Sequence, residues 1–239
     1  MRFNYWQTFY EGSYYHVYNR AVGRDWLFVN EGNYSFFLKK WQKYLHPYVD
    51  TYAYCLMSNH FHFLIRIKPV TKEMRQKIES EKTVASKNFL ADQITLDAFL
   101  EDQFKRFFSA YALSFNKQQG RHGSLFQASF KRVQLRNEVK LLNTLCYIHH
   151  NPIHHDLSTS YDAWQYSSYS SYLSNKPTLL VRQEGLALFD NLGADSIAFE
   201  YYHEAYRNDK NTWKRIIDWD DEMLLNGSND PKDFTLGKL

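Results

Sequence analysis

The chain is 239 residues long, has 29 Lys and Arg against 26 Asp and Glu, and is 18% aromatic, which excludes a disordered polar chain. Only two cysteines occur, so a disulfide framework is excluded and a reducing, cytoplasmic compartment is expected. The first residues lack the apolar core of a secretion signal, and no run approaches the ~18 apolar residues of a membrane span, so we expect no membrane partner.

The net charge of +3 hides an asymmetry along the chain. Residues 183–239 carry twelve acids and six bases, a balance of −6, whereas residues 1–182 have a balance of +9. The bases are densest between residues 101 and 140. A basic body with an acidic tail favours contact with nucleic acid, although a solvated charged surface would explain these charges equally well.

The first half of the chain has the pattern strand, helix, strand, strand. Its predicted elements are a strand over 14–19, a helix over 33–45, and strands over 49–57 and 60–67. Pro47 ends the helix, and Ser58 and Asn59 turn the chain between the last two strands. These strands are too close together for a crossover helix, so we expect them to form an antiparallel hairpin.

The second half continues with a connector, a helix, a strand and further helices. The predicted elements are a partly helical connector over 68–94, helices over 96–116, 137–150, 196–208 and 213–225, and a strand over 123–135. Asn137 is placed to cap the helix over 137–150, and Pro152 is placed to stop it. The order β-α-β-β-α-β-α predicts an α+β fold, with a central antiparallel sheet and helices on one face, in residues 1–182. An acidic, mainly helical extension over 183–239 follows.

The first candidate for chemistry is His60-Phe61-His62 on the predicted third strand. Side chains alternate along a strand, so the two histidines share one face and lie about 7 Å apart. Two imidazoles in this arrangement are able to bind one divalent ion. Two histidines on the polar face of a half-buried strand would give the same pattern without any metal.

The second candidate is the end of the helix over 137–150, where Tyr147 and Asn151 occur four residues apart. Residues at this spacing are neighbours on one helix face. A tyrosine hydroxyl beside an amide oxygen provides a nucleophile and an auxiliary metal ligand. Since the chain has 19 tyrosines, a packed aromatic side chain is the simpler explanation for Tyr147 alone.

These two candidates occur within a longer series of strings that resembles a known family. The strings are Asn19-Arg20, Met57-Ser58-Asn59-His60-Phe61-His62-Phe63-Leu64-Ile65, Gly123-Ser124-Leu125-Phe126-Gln127 with Phe130-Lys131, Tyr147-Ile148 to Asn151-Pro152, and Trp164-Gln165-Tyr166-Ser167-Ser168-Tyr169. Their order and approximate spacing, over about residues 12–172, resemble the REP-associated tyrosine transposases, which are single-tyrosine HUH nucleases. Each string alone is a weak indication, but five in the same order are a strong one.

The resemblance implies a ferredoxin-like HUH fold and a metal-dependent transposase that cleaves and rejoins single-stranded DNA at hairpin sites through a 5′-phosphotyrosine intermediate. It implies Tyr147 as the nucleophile, with His60, His62 and Asn151 as ligands of a Mg²⁺ or Mn²⁺ ion. The partner would be single-stranded or hairpin DNA, and the protein would act as a monomer or a homodimer. The phosphodiester energy is kept in the covalent link, so no ATP is needed, which agrees with the absence of a Gly-rich phosphate loop from the sequence.

Basic residues of the body are the candidates for contact with the DNA backbone, which would make the affinity salt-dependent. We expect these contacts from Arg20, Lys105, Arg121, Lys131, Arg132 and Arg136. Aromatic residues between them, such as Tyr111, Phe126 and Phe130, are candidates for stacking on unpaired bases.

Two departures from the family pattern concern the same helix end. The residues after Pro152 read Ile153-His154-His155, where the family usually has a basic residue. His149 and His150 lie beside the expected site, and either could replace Asn151 as the third metal ligand.

Two other functions remain open from the sequence. A DNA-hairpin-binding protein, inactive or domesticated, would keep the fold without turnover. A hydrolytic Zn²⁺ enzyme would use the histidines, but a third strong ligand at familiar zinc spacing is missing and the pattern H-E-x-x-H is absent.

Overall fold

The computed structural model describes residues 6–189 and 196–209. The strands are β1 (Tyr14–Arg20), β2 (Val49–Leu56), β3 (His60–Ile67) and β4 (Lys131–Leu135). The helices are α1 (Glu31–Tyr44), α2 (Lys72–Ser80), α3 (Val84–Leu90), α4 (Leu96–Gln119), α5 (Glu138–His154), α6 (Tyr169–Tyr172), α7 (Arg182–Ala187) and α8 (Ser196–Asn208). In these two ranges no helix is both long and apolar enough to cross a membrane. The predicted helix over 213–225 lies outside the described residues.

The four strands form one sheet in the order β2-β3-β1-β4. β1 and β4 are antiparallel, with Tyr14 opposite Leu135 and Tyr18 opposite Lys131. β1 and β3 are neighbours although β2 comes between them in the chain, and this order, with the succession β-α-β-β-α-β, is the ferredoxin-like arrangement. The predicted α+β class with an antiparallel sheet is confirmed.

Contacts between residues divide the described chain into two compact units. The first holds residues up to 51, together with 58–60 and 65–135, and the second holds 52–57, 61–64 and the residues from 136 onward. β2 and β3 therefore contribute residues to both units. The predicted division of the chain at residue 182 stays a prediction.

The core of the first unit is built on aromatic residues of α1 and α4. The ring of Phe37 in α1 contacts the rings of Phe107 and Tyr111 in α4, each with centroids 4.9 Å apart. α4 is capped at its N-terminus by Thr95, whose side chain accepts a hydrogen bond from the Ala98 N–H. It ends at Gly120, which has φ 62° and adopts the left-handed conformation that glycine tolerates best.

The second unit is centred on α5, which is buried almost all round between residues 144 and 152. Asn137 caps it as predicted, because its side chain accepts a hydrogen bond of 2.9 Å from the Lys140 N–H. A helix buried on every side must have packing partners on every side. In this unit the partners include β3 and α8, which contact α5 through His62 and His203 respectively.

Two predicted boundaries were wrong. The predicted strand over 123–135 is a strand only from Lys131, because Gly123 has a positive φ of 87° and the residues after it pair with a neighbouring segment only at the isolated bridge between Ala21 and Phe126. Single contacts tie the preceding segment to β1, including a hydrogen bond of 2.9 Å from the Gln127 N–H to the Arg20 carbonyl.

The other wrong boundary is the end of α5, which continues through Pro152 to His154. Proline removes one backbone donor, which would have bonded to the carbonyl of residue 148. The next bonds are intact, since the His155 N–H donates to the Asn151 carbonyl at 3.0 Å. One missing bond is tolerated in this well-packed helix.

Candidate active site

The predicted histidine pair occupies the start of β3. His62 is buried, with 1% of its surface exposed, while His60 is half-buried. His60 Nδ1 lies 2.7 Å from Asn59 Oδ1, and an amide oxygen only accepts, so Nδ1 carries the proton. The lone pair of His60 is then on Nε2, the arrangement in which a histidine binds a metal while its other nitrogen is oriented by a hydrogen bond.

Tyr147 of α5 faces His62 within the second unit. The two ring centroids are 5.6 Å apart and the ring planes meet at 81°, an edge-to-face contact. The structure thus brings the predicted nucleophile to one of the predicted metal ligands. Tyr147 is 2% exposed, so its hydroxyl has to become accessible before it is able to reach a phosphate.

Asn151 lies one turn further along α5 and is fully buried. Its Nδ2 donates to the Tyr147 carbonyl at 3.0 Å, which fixes the orientation of the amide. Its Oδ1 is buried and accepts no hydrogen bond from any described residue. A buried acceptor without a partner costs about 1–3 kcal/mol, so this oxygen is suited to a cation or to a donor that arrives with the substrate.

His62 and Asn151, which lie in the same unit, have ligand types that would suit the metal that the resemblance implies. Among the described residues no three His, Cys, Asp or Glu side chains form a metal site, and the candidate set reaches three ligands only with the Asn151 amide. Carbonyl oxygens suit Mg²⁺ and Mn²⁺, while imidazole nitrogens suit transition metals, so the two histidines favour Mn²⁺ of the two ions. The buried Asn151 Oδ1 supports this fit independently of the histidines.

His149 and His150, the alternatives for the third ligand, have other partners. His149 Nδ1 lies 2.8 Å from His203 Nε2, and His149 Nε2 lies 2.7 Å from Ser168 Oγ. Both ring nitrogens of His149 are therefore engaged, and the residue would have to break a hydrogen bond to bind a metal. His150 Nδ1 lies 3.2 Å from the Tyr161 hydroxyl. Asn151 remains the better candidate.

The surroundings of Arg132 argue against its predicted contact with DNA, which stays a prediction. Its guanidinium is 1% exposed and forms ion pairs with Glu101 at 2.6 Å and with Asp97 at 3.3 Å. It also lies 4.4 Å from the ring centroid of Trp6 and 4.3 Å from that of Phe9. A buried, neutralised guanidinium offers little charge to a phosphate, so Arg132 is a structural residue that joins the N-terminal segment to α4.

The other basic candidates differ in their exposure. Lys105 and Arg136 are exposed, and Lys131 is half-buried. Arg121 is paired with Asp25 and donates to Asn116 at 2.7 Å, which reduces the charge it has available. Arg20 is 5% exposed, so its contact with DNA requires a rearrangement. Tyr111 is 1% exposed and belongs to the core.

A groove in the first unit runs beside Lys105. It has a volume of about 620 Å³ and lies between α4 and residues 124–130, with Trp6, Phe108 and Gln127 among its lining residues. Trp6 is 41% exposed, whereas Phe126 and Phe130, which also line the groove, are mostly buried. Glu101 and Asp102 also line the groove, so its charge is mixed, and its aromatic rings are the feature that would suit an unpaired base.

Three residues around α5 were not predicted as part of the site. Thr144 lies three residues before Tyr147, hence on the same helix face, and its Oγ1 is buried with no hydrogen-bond partner in the described part of the chain. Ser168 and His203 bond to His149. The helical spacing would have revealed Thr144, and Ser168 occurs in a string that resembles the family, but no sequence signal marked His203.

Comparison with known proteins supports the resemblance. No family model matches the chain. Over 122 residues the chain is 27% identical to a curated protein of Haemophilus influenzae whose name places it, provisionally, among the REP-associated tyrosine transposases. The aligned region covers 50% of this chain and 58% of the relative, so the chain matches a little over half of the relative's length.

A solved structure has a similar fold. It is that of a REP-associated tyrosine transposase bound to a REP hairpin, and it matches with a TM-score of 0.51 and 13% sequence identity. The match covers 74% of this chain and 89% of the other. At this identity the likeness shows the fold alone, and it confirms the HUH-like α+β fold expected from the motifs.

Proposed function

We propose that this chain is a tyrosine-dependent DNA transposase of the REP-associated type, which cleaves and rejoins single-stranded DNA at hairpin sites with a divalent metal ion. One observation carries the proposal. The Tyr147 ring faces the His62 ring, with centroids 5.6 Å apart, and the helix of Tyr147 also holds Asn151, whose Oδ1 is buried. A nucleophile and two ligand types thus meet within one compact unit. The similarity to the Haemophilus influenzae relative agrees with this function.

The chemistry follows from the residues. Tyr147 Oη loses its proton and attacks the scissile phosphorus, and the bond between the phosphorus and the 3′ oxygen breaks. The DNA 5′-phosphate becomes linked to the tyrosine, and the departing oxygen takes a proton and becomes a free 3′-hydroxyl. Attack by a 3′-hydroxyl on the phosphotyrosine reverses the step and rejoins the strand. Tyrosine is a weak nucleophile at its ordinary pKa near 10, so it needs activation, and the leaving group needs help as well.

His60, His62 and Asn151 would hold the ion. A bound divalent ion polarises the phosphate and offsets the charge that develops on its oxygens. The hydrogen bond from His60 Nδ1 to Asn59 Oδ1 sets the tautomer that a ligand needs. The hydrogen bond from Asn151 Nδ2 to the Tyr147 carbonyl couples the third ligand directly to the backbone of the nucleophile.

For DNA binding we propose the groove along α4. Lys105 would neutralise a phosphate, and the exposed part of Trp6 would stack on an unpaired base. Arg136 and Lys131 would add further phosphate contacts. Arg132 is omitted, because its charge is already neutralised by Asp97 and Glu101.

The test is covalent capture of DNA. Hairpin oligonucleotides with single-stranded flanks, labelled on the 5′-phosphate side of each possible cut, are incubated with the protein and Mn²⁺ and separated on a denaturing gel. We expect a labelled protein–DNA adduct from the wild type and from Tyr10→Phe, a control at a tyrosine that is 57% exposed. Tyr147→Phe should form none. Equal adduct yield from Tyr147→Phe would refute the assignment of the nucleophile.

A second function is favoured by the burial of Tyr147 and His62, which are 2% and 1% exposed. A hairpin-binding protein without turnover has no need for an accessible nucleophile. In that case the protein would bind hairpin DNA, Lys105→Gln would weaken the binding, and the wild type would form no adduct with any flank sequence or metal.

A further inference from the structure

A chain of hydrogen bonds connects α8 to the back of α5. His149 Nδ1 lies 2.8 Å from His203 Nε2, and His149 Nε2 lies 2.7 Å from Ser168 Oγ. His203 Nδ1 lies 2.7 Å from the Phe199 carbonyl oxygen. Ser168 Oγ accepts from the Tyr54 N–H at 2.8 Å. His149 is 1% exposed, and Ser168 and His203 are fully buried.

The protons in this series of hydrogen bonds have one consistent arrangement. The Phe199 carbonyl only accepts, so His203 Nδ1 carries a proton and its Nε2 is an acceptor. His149 Nδ1–H must then donate to His203, and His149 Nε2 must accept the Ser168 hydroxyl proton. In this arrangement each ring is neutral, with one donor nitrogen and one acceptor nitrogen. The Tyr54 carbonyl is a second, more distant acceptor for the Ser168 hydroxyl, at 3.3 Å against 2.7 Å for His149 Nε2.

The position of His149 on α5 connects this chain of bonds to the candidate site. His149 follows Tyr147 by two residues, which turns its side chain about 200° around the helix, to the opposite face. Asn151 follows Tyr147 by four residues and shares its face. One face of α5, its front, therefore carries Tyr147 and Asn151. The opposite face, its back, is fixed by the hydrogen bonds of His149.

Aromatic side chains pack around these hydrogen bonds at the back of α5. The His149 ring meets Tyr169 edge-on, with centroids 5.6 Å apart, and the His203 ring lies 4.1 Å from Phe199. A hydrogen-bonded pair in such surroundings has little freedom, because any rotation of α5 would leave a buried donor without its acceptor.

We infer that His149, Ser168 and His203 are positioning residues, which fix the rotation of α5 so that Tyr147 and Asn151 face His62. This rests on the proposed function. It gives α8, which lies beyond the region of family resemblance, a part in the reaction. It also explains Ser168, whose string resembles the family but carries no chemistry of its own.

The test compares two substitutions of one residue. In His203→Gln the side-chain oxygen is able to accept from His149 Nδ1–H, whereas in His203→Phe that donor loses its acceptor at similar side-chain volume. Single-turnover adduct formation is measured with hairpin DNA and Mn²⁺, and the Kd for the same DNA is measured by fluorescence anisotropy in EDTA. Tyr201→Phe is the control, at a residue of α8 that is 64% exposed.

We expect His203→Phe to slow adduct formation by about tenfold to a hundredfold, the range that a displacement of about 1 Å produces. His203→Gln should stay within about threefold of the wild type, since it restores the hydrogen bond, and the Kd should stay unchanged in both. Equal rates for His203→Phe and the wild type would overturn the inference. If His203→Phe does not fold, Ser168→Ala decides, with a slower rate at unchanged Kd expected and an unchanged rate excluding the role.

A second readout does not depend on activity. The ¹⁵N spectrum of the histidine rings at pH 7, assigned through single substitutions, should show His149 and His203 as neutral rings protonated on Nδ1. A proton on Nε2 of His149, or a charged ring, would overturn the inference. A wild type that forms no adduct but has these two tautomers would instead overturn the proposed function, so the two failures are distinguishable.

Discussion

The Tyr147 ring stands edge-on to the His62 imidazole, with ring centroids 5.6 Å apart and ring planes at 81°. The two residues are 85 positions apart in the sequence and come from a helix and a strand. Both are almost fully buried. The described conformation is therefore one in which the candidate nucleophile and a candidate ligand are assembled but closed to a macromolecular substrate. Under the proposed function, DNA binding must open it.

The buried Asn151 Oδ1 leads to a prediction about metal and stability. Ligands that bind only the native state stabilise it, by about 2.7 kcal/mol at a concentration of 100 times the Kd. For a chain of this size, that corresponds to a rise in Tm of about 5–10 °C. We expect Mn²⁺ at such a concentration to raise the Tm of the wild type by this amount and to leave that of Asn151→Leu nearly unchanged, as measured by calorimetry.

The control for this experiment is His122→Ala, which removes an exposed histidine outside the site. It should keep the full response to Mn²⁺. A rise in Tm of equal size in Asn151→Leu would show that the ion binds without the amide, and would remove Asn151 from the ligand set.

The exposed cations predict a salt dependence. On single strands each phosphate contact contributes about 0.7 to the slope of log K against log salt. Lys105→Gln should therefore lower the magnitude of the slope by about 0.7 for a hairpin with a single-stranded flank, measured by anisotropy between low and moderate salt. Lys82→Gln is a control at a lysine outside the groove. An unchanged slope in Lys105→Gln would move the DNA path away from α4.

The sequence predicted those parts of the site that depend on local periodicity. Alternation along β3 placed His60 and His62 on one face, and helical spacing placed Tyr147 beside Asn151. The role of His203 was not predictable, because its partner His149 is 54 residues away and no period connects the two. The burial and ion pairs of Arg132 were not predictable for the same reason. Charge density identified it as basic, but its neutralising partners Asp97 and Glu101 lie 35 and 31 residues earlier in the chain.

Arg132 should then matter for stability more than for DNA. Removing one partner of a buried ion pair costs about 3–5 kcal/mol, and because Glu101 is 37% exposed we expect about 2–3 kcal/mol for Arg132→Gln. Urea unfolding measures this loss. The salt dependence of DNA binding, measured well below the midpoint of unfolding, should match that of the wild type. A wild-type stability with a reduced salt slope would return Arg132 to the DNA-binding surface.

Tyr161, which contacts α8, and Tyr206, which belongs to it, provide a matched pair for the packing of this helix. The Tyr161 hydroxyl donates to the His203 carbonyl at 2.7 Å, whereas the buried Tyr206 hydroxyl has no hydrogen-bond partner among the described residues. Burial raises the pKa of both, so both stay protonated at neutral pH. Tyr161→Phe leaves a carbonyl without its donor and should cost about 1–2 kcal/mol, while Tyr206→Phe removes an unsatisfied group and should be neutral or stabilising. Urea unfolding of the two variants decides this. If Tyr206→Phe costs as much as Tyr161→Phe, the Tyr206 hydroxyl has a partner in solution, and the packing of α8 on His150 differs from that described.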